Sequence, residues 1–194
     1  MKYSSLVAGF LFAALALPAA AQSVYTAALS GSAEEPANQS PATGTATVTI
    51  DNANFTMRVQ ETFNGLLAEN TASHIHCCTA TPLSGNVGVA TTTPTFTGFP
   101  TGVTSGTYDH TFDLTDPSSY NQAFLTANGG TASGAFDALV AGLNSGSAYA
   151  NIHSSAFQAG EIRGFLTLVP EPESYAMLLA GLGIISILAR RRRV

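Results

Sequence analysis

The chain has no tryptophan and, over its 194 residues, a single lysine, Lys2. Without indole, a carbohydrate platform built on tryptophan is excluded, although tyrosine and phenylalanine remain. Cationic charge is confined almost wholly to the two ends. Between residues 22 and 169 only Arg58 and Arg163 are basic, against Glu34, Glu35, Asp51, Glu61, Glu69, Asp109, Asp113, Asp116, Asp137 and Glu161, a formal balance of −8. Such a surface repels nucleic acid and anionic lipid, so no nucleic-acid partner is expected. Cysteine is limited to the adjacent pair Cys77 and Cys78, and the Cys-x-x-Cys spacing of dithiol oxidoreductases is missing. No Ser-His-Asp arrangement and no paired carboxylates stand out, which leaves a hydrolase without a signal. There is no internal repeat, and the one biased stretch is a Thr/Pro/Gly segment around residues 92–101.

The two ends carry addresses. Lys2 is followed by an apolar stretch over 6–17, a helix-breaking Pro18 and Ala19-Ala20-Ala21. This reads as a secretory signal peptide over 1–21, cut after Ala21, rather than as a membrane anchor, for which the stretch is too short. At the other end stand Val169, Pro170, Glu171 and Pro172, then an apolar run, then Arg190, Arg191, Arg192 and Arg193. The prolines stop any preceding element. A transmembrane helix is expected over 174–189, and its central fifteen apolar residues would reach about 22 Å against a hydrocarbon core of about 30 Å. Snorkelling arginine stems make up part of the gap, and the arginine cluster holds that end in the cytoplasm, so the preceding domain lies outside.

The middle, 22–168, has the length of one domain and the periodicity of strands. Strands are expected over 24–30, 43–50, 55–63, 72–78, 87–91, 103–114, 148–154 and 161–168. Asp51-Asn52-Ala53-Asn54 supplies a hairpin turn, and Thr92 to Thr101 a long loop. Helices are expected over 120–127, with Asp116 as N-cap and Pro117 at the first helical position, and over 132–143. The fold class is all-β: an antiparallel Greek-key sandwich or barrel with two short helices, plus the one C-terminal transmembrane helix.

Three places could carry chemistry. His74-Ile75-His76 lies on a strand, where residues two apart share a face. His74, His76 and Cys78 then point one way and Ile75 and Cys77 the other, with Ile75 toward the core. His153 joins the first face if its strand packs nearby. Imidazole and thiolate at this spacing bind zinc or copper, whereas the bland alternative has the histidines bonding loops and one another. Cys77 and Cys78, exported to an oxidising compartment, can close a vicinal disulfide, stay free or cross-link to another chain. Glu161 and Arg163 share a face in Gly160-Glu161-Ile162-Arg163-Gly164 and read as a structural ion pair.

Two resemblances follow from these motifs. The terminal Pro-Glu-Pro, apolar run and arginine cluster over 169–194 resemble the PEP-CTERM sorting signal. That resemblance implies a Gram-negative bacterium, often one making exopolysaccharide, and removal of the helix by an exosortase, an integral-membrane cysteine protease. The bland alternative is a single-pass tail anchor. Ala28-Leu29-Ser30-Gly31 with Glu34-Glu35-Pro36, Ala42-Thr43-Gly44-Thr45-Ala46, Ser73-His74-Ile75-His76, Ala148-Tyr149-Ala150-Asn151-Ile152-His153 and Gly160-Glu161-Ile162-Arg163-Gly164 together resemble the CHRD domain, named for its occurrence in chordin. Ser154 stands where threonine is more usual, and Gln158-Ala159-Gly160 where Pro-Gly-Gly is more typical. The resemblance implies an immunoglobulin-like or superoxide-dismutase-like β fold and no established reaction for bacterial members. A dismutase would need further ligands, and His110, the spare histidine, sits in a separate strand.

The expected function is therefore an exported, exosortase-sorted cell-surface or extracellular-matrix protein with a non-catalytic β domain and no cofactor. The alternative is a copper- or zinc-binding or redox envelope protein using the His-x-His strand. Expected partners are signal peptidase, an exosortase, the inner membrane in transit, and exopolysaccharide or another surface protein.

Overall fold

The computed structural model describes residues 22–170, 179–183 and 185. Among them, eight strands form one antiparallel sheet: β1 (Gln22–Ser30), β2 (Thr43–Asp51), β3 (Thr56–Asn64), β4 (Asn70–His76), β5 (Gly106–Asp113), β6 (Tyr149–Ser154), β7 (Ile162–Phe165) and β8 (Thr167–Leu168). The spatial order is β4-β6-β7-β1-β2-β3-β5, with β8 also pairing β1. Two helices, α1 (Gln122–Ala127) and α2 (Ala132–Asn144), precede β6. The antiparallel all-β body with inserted helices is as expected, but the sheet is one curled half-barrel. Its edges, β4 and β5, do not pair with each other. Instead the chain after β4 lies between them. Ser73 O accepts from Phe96 N at 3.1 Å, and Asn70 bonds Pro100 O at 2.6 Å and Val103 N at 2.9 Å. Phe96 and Phe99 enter the core from this segment.

Alternation builds that core. Ala46, Val48 and Ile50 of β2 and Met57, Val59 and Phe63 of β3 face inward and are buried. Their polar neighbours, such as Thr45, Arg58 and Thr62, stay on the outer face. The β2–β3 register is set by the turn, where Asp51 Oδ1 accepts from Ala53 N at 2.9 Å and Asn54 N at 3.0 Å. α2 is capped by Thr131, whose hydroxyl accepts from Gly134 N at 3.1 Å, and it buries Phe136, Leu139 and Leu143 against the open side of the sheet.

Three local expectations are corrected. Residues 87–91 form single bridges, His76 to Val89 and Thr91 to Tyr120, instead of a strand, because Ile75 N donates to the Thr91 hydroxyl and Val87 O is held by the His76 ring rather than by a ladder partner. Asp116 does accept from Ser118 N at 2.8 Å, but it caps a 3-10 turn (Pro117–Ser119). The helix begins later, where Asn121 Oδ1 accepts from Ala123 N at 2.8 Å. β4 ends at His76, short of the cysteines.

The signal peptide over 1–21 lies outside the described residues. So does most of the expected helix over 174–189, in which 179–183 and 185 are helical. Among the described residues no helix is long and apolar enough to cross a membrane. The membrane-spanning helix thus gains no support from the structure, since only a few residues of that apolar run are described.

β7 crosses β1 so closely that a Cβ on Gly164 would overlap the Ala28 carbonyl oxygen. Gly164→Ala should force the strands apart and cost about 2–3 kcal/mol, the upper part of the overpacking range. Urea denaturation would measure it, and a change under half that size would mean that the strands separate freely.

Candidate functional site

β4, β6 and β7 turn an outer face toward two covering loops. Register places Ala72 opposite His153, His74 opposite Asn151, His76 opposite Tyr149, and Asn151 opposite Arg163. Residues directly opposite share a face, so the three histidines, Asn151, Tyr149 and Arg163 lie together, while Ser73, Ile75, Ala150 and Ile152 face inward. His74 and His76 are 5 % and 8 % exposed, and His153 is half-buried.

Each imidazole uses one nitrogen to hold a backbone carbonyl. His74 Nε2 meets Pro94 O at 2.7 Å, His76 Nδ1 meets Val87 O at 2.8 Å, and His153 Nδ1 meets Gln158 O at 3.0 Å. A carbonyl only accepts, so each of these nitrogens carries the proton. The other nitrogens, Nδ1 of His74 and Nε2 of His76 and His153, are buried acceptors without a partner. One ring nitrogen of each histidine lies within 4.8 Å of the other two. Burial pushes His74 and His76 down to about 4, opposed for each ring by its carbonyl bond, and also lowers His153. All three rings are neutral at pH 7. Three neutral lone pairs converging, each ring fixed by an outer carbonyl, form a donor set suited to a transition metal, with the second-shell pattern that metal-ligating histidines use. Copper and zinc fit imidazole donors, and the oxygen-seeking ions do not.

Aromatic rings line the cluster. Tyr149 stacks on His76 at 4.7 Å between centroids, and Phe96 lies 6.5 Å from His74. Behind Tyr149, the Arg163 guanidinium sits 4.8 Å from its ring centre. Arg163 Nε donates to Ala33 O at 2.6 Å, and its NH groups reach Gly85 O, Asn86 Oδ1 and Glu35 Oε2. It thereby ties the loop carrying Glu34 and Glu35 to the loop carrying Val87.

The structure brings together His74, His76 and His153: strand alternation puts the first two on one face, and the pairing of β4 with β6 adds the third. It leaves Cys78 outside, because β4 stops at His76 and Cys78 is joined to Cys77 in a disulfide. That disulfide packs on α2 where Gly142 has no side chain to obstruct it. His110 stands apart, between Tyr108 and Phe112. Arg163 pairs with Glu35 at 3.3 Å and Glu34 at 4.0 Å, not with Glu161. Glu161 Oε1 instead accepts from Ser40 Oγ at 2.6 Å and Leu67 N at 2.7 Å. Of the sorting motif, Val169 N donates to Val24 O at 2.7 Å, whereas Glu171, Pro172 and Arg190 to Arg193 lie outside the described residues. The carbonyls of Val87, Pro94 and Gln158 were invisible to side-chain patterns. Tyr149, by contrast, shares the alternation of Asn151 and His153 and could have been found from it.

Fold and site define a small antiparallel β-domain protein with a buried, neutral three-imidazole centre. Residues 25–166 match the CHRD domain, and the chain belongs to that family. Residues 168–193 match the PEP-CTERM protein-sorting motif, which implies recognition by an exosortase and export toward the cell surface. No curated protein and no solved structure matches the chain.

Proposed function

We propose that this is an exported, exosortase-sorted surface protein whose CHRD domain is a non-catalytic binding module, with His74, His76 and His153 as a copper or zinc site. The observation that carries the metal reading is the set of three histidines, each with one buried ring nitrogen without a protein partner, whose ligand nitrogens converge within 4.8 Å. Leaving such acceptors unpaired costs free energy, and an ion shared among them offsets that cost. The exposed threonines of β2 and β3, with Thr45 and Thr62 hydroxyls 2.8 Å apart, give the outer sheet a hydroxyl-rich face suited to exopolysaccharide or another surface protein.

Elemental analysis of the purified protein tests the site. Wild type should hold one equivalent of copper or zinc, and His74→Ala and His153→Ala should each lower affinity about a hundredfold or more while the far-UV spectrum stays unchanged. Metal content indifferent to both substitutions defeats this reading. Sorting is tested separately: Pro170→Ala with Pro172→Ala should leave the chain uncleaved and membrane-held, and wild-type processing of that variant would refute it.

A further inference from the structure

The donor set constrains the ion beyond its class. Its three nitrogens carry no charge, and among the described residues no carboxylate or thiolate joins them. The Arg163 guanidinium lies over the Tyr149 ring that stacks on His76, and Glu34 and Glu35 pair with it. The lining is aromatic and two of the three rings are buried. The cost of burying an ion in such surroundings grows steeply with its charge. Zinc brings two charges and takes four tetrahedral ligands in a structural site. Here the described histidine, cysteine and carboxylate side chains bring together three neutral donors and no negative charge, so the second charge of zinc stays uncompensated within the group. Monovalent copper brings one charge, is soft, and is satisfied by three donors in a plane. Each ring is also held by its carbonyl bond, to Pro94, Val87 or Gln158, which fixes where its free nitrogen points.

We propose that the His74–His76–His153 centre is selective for monovalent copper over zinc, holding Cu(I) between the three free imidazole nitrogens. This rests on the metal reading above. The half-exposed His153 edge is the side by which the ion enters and leaves.

The test is a pair of anaerobic competition titrations on the purified protein, one with Cu(I) against a chromogenic Cu(I) chelator, the other with Zn(II) against a zinc chelator. Expected are one equivalent of Cu(I), bound at least about a hundredfold more tightly than zinc, and X-ray absorption from three nitrogen scatterers and no sulfur. His153→Gln should weaken Cu(I) by about a hundredfold, whereas Cys77→Ser with Cys78→Ser should leave it unchanged. Zinc bound as tightly as Cu(I), and lost in His153→Gln, overturns the selectivity and leaves the metal site standing. Binding of neither ion, or copper lost in the cysteine variant and kept in His153→Gln, overturns both.

Discussion

Arg163→Ala should destabilise the domain by about 3–5 kcal/mol at pH 8, the range for removing one partner of a buried charge pair. The side chain is 3 % exposed and its guanidinium is spent on four groups from two loops: Ala33 O, Gly85 O, Asn86 Oδ1 and Glu35 Oε2. Truncation strands these acceptors and leaves the buried Glu34 without its counter-charge. Glu34 is already pushed up to about 7 by burial, with the Arg163 charge opposing the shift. The sign of the pH dependence follows. Below about pH 4.5 the Glu34 carboxyl is neutral in both folded and unfolded chains and needs no cation. As pH rises through 7 the folded chain must bear a buried carboxylate, and the missing guanidinium then matters most. The variant should therefore lose less at pH 5 than at pH 8, in urea melts at both values. Arg163→Lys should recover little, because an ammonium cannot bond both loops or lie flat against Tyr149 and Phe165. The loosened loop includes Val87, whose carbonyl orients His76, so affinity at the proposed metal site should fall as well. Equal losses at both pH values would mean that Glu34 plays no part in the effect.

How much of this was legible beforehand differs by type of information. Alternation over 43–50 and 55–63 located a hairpin to within a residue or so, because one face is apolar and the turn residues are specific. The same logic put His74 and His76 on one side and Ile75 in the core. It could not say that His153 comes alongside, since that depends on β4, which ends at His76, pairing with β6, which begins at Tyr149. Nor could it choose Arg163's partners. Glu161 shares its strand parity, but the loop after β1 folds back and delivers Glu34 and Glu35 instead. The curled single sheet was out of reach for a similar reason. What closes it is an irregular segment held by Asn70 and Ser73, and irregular backbone has no period to read.

Glu61→Gln should flatten the pH dependence of stability between pH 4.5 and pH 9, and near pH 9 it should stabilise the domain by on the order of 3–5 kcal/mol. Glu61 belongs to the inward face of β3 and is 1 % exposed among Met57, Val59 and Phe63. Its one bond is from Ser73 Oγ to Oε2 at 2.8 Å, and Oε1 has no partner. Burial pushes its carboxyl up to about 8, only partly opposed by Ser73. Below pH 4.5 both folded and unfolded chains hold the proton, so the group costs nothing. Between 4.5 and 8 the unfolded chain ionises freely while the folded chain keeps its proton, and stability falls with pH. Above 8 both are ionised and the full penalty stays. Glutamine titrates in neither state, and groups common to both proteins cancel in the difference. At pH 4.5 the variant should be slightly weaker, by about 1 kcal/mol, for a buried amide N–H that gains no acceptor. Urea denaturation at pH 4.5, 7 and 9 gives the three points, and parallel curves would show that Glu61 is not the titrating group. The retained carboxyl has a positional reading. It is the bond by which β3 grips β4 across the interior, where no ladder joins them, and Ser73 is the residue before His74. A strand that carries two of the three histidines is thus pinned from its inner face, so Glu61→Leu, which abolishes the bond, should loosen the proposed metal centre even where it leaves the core well packed.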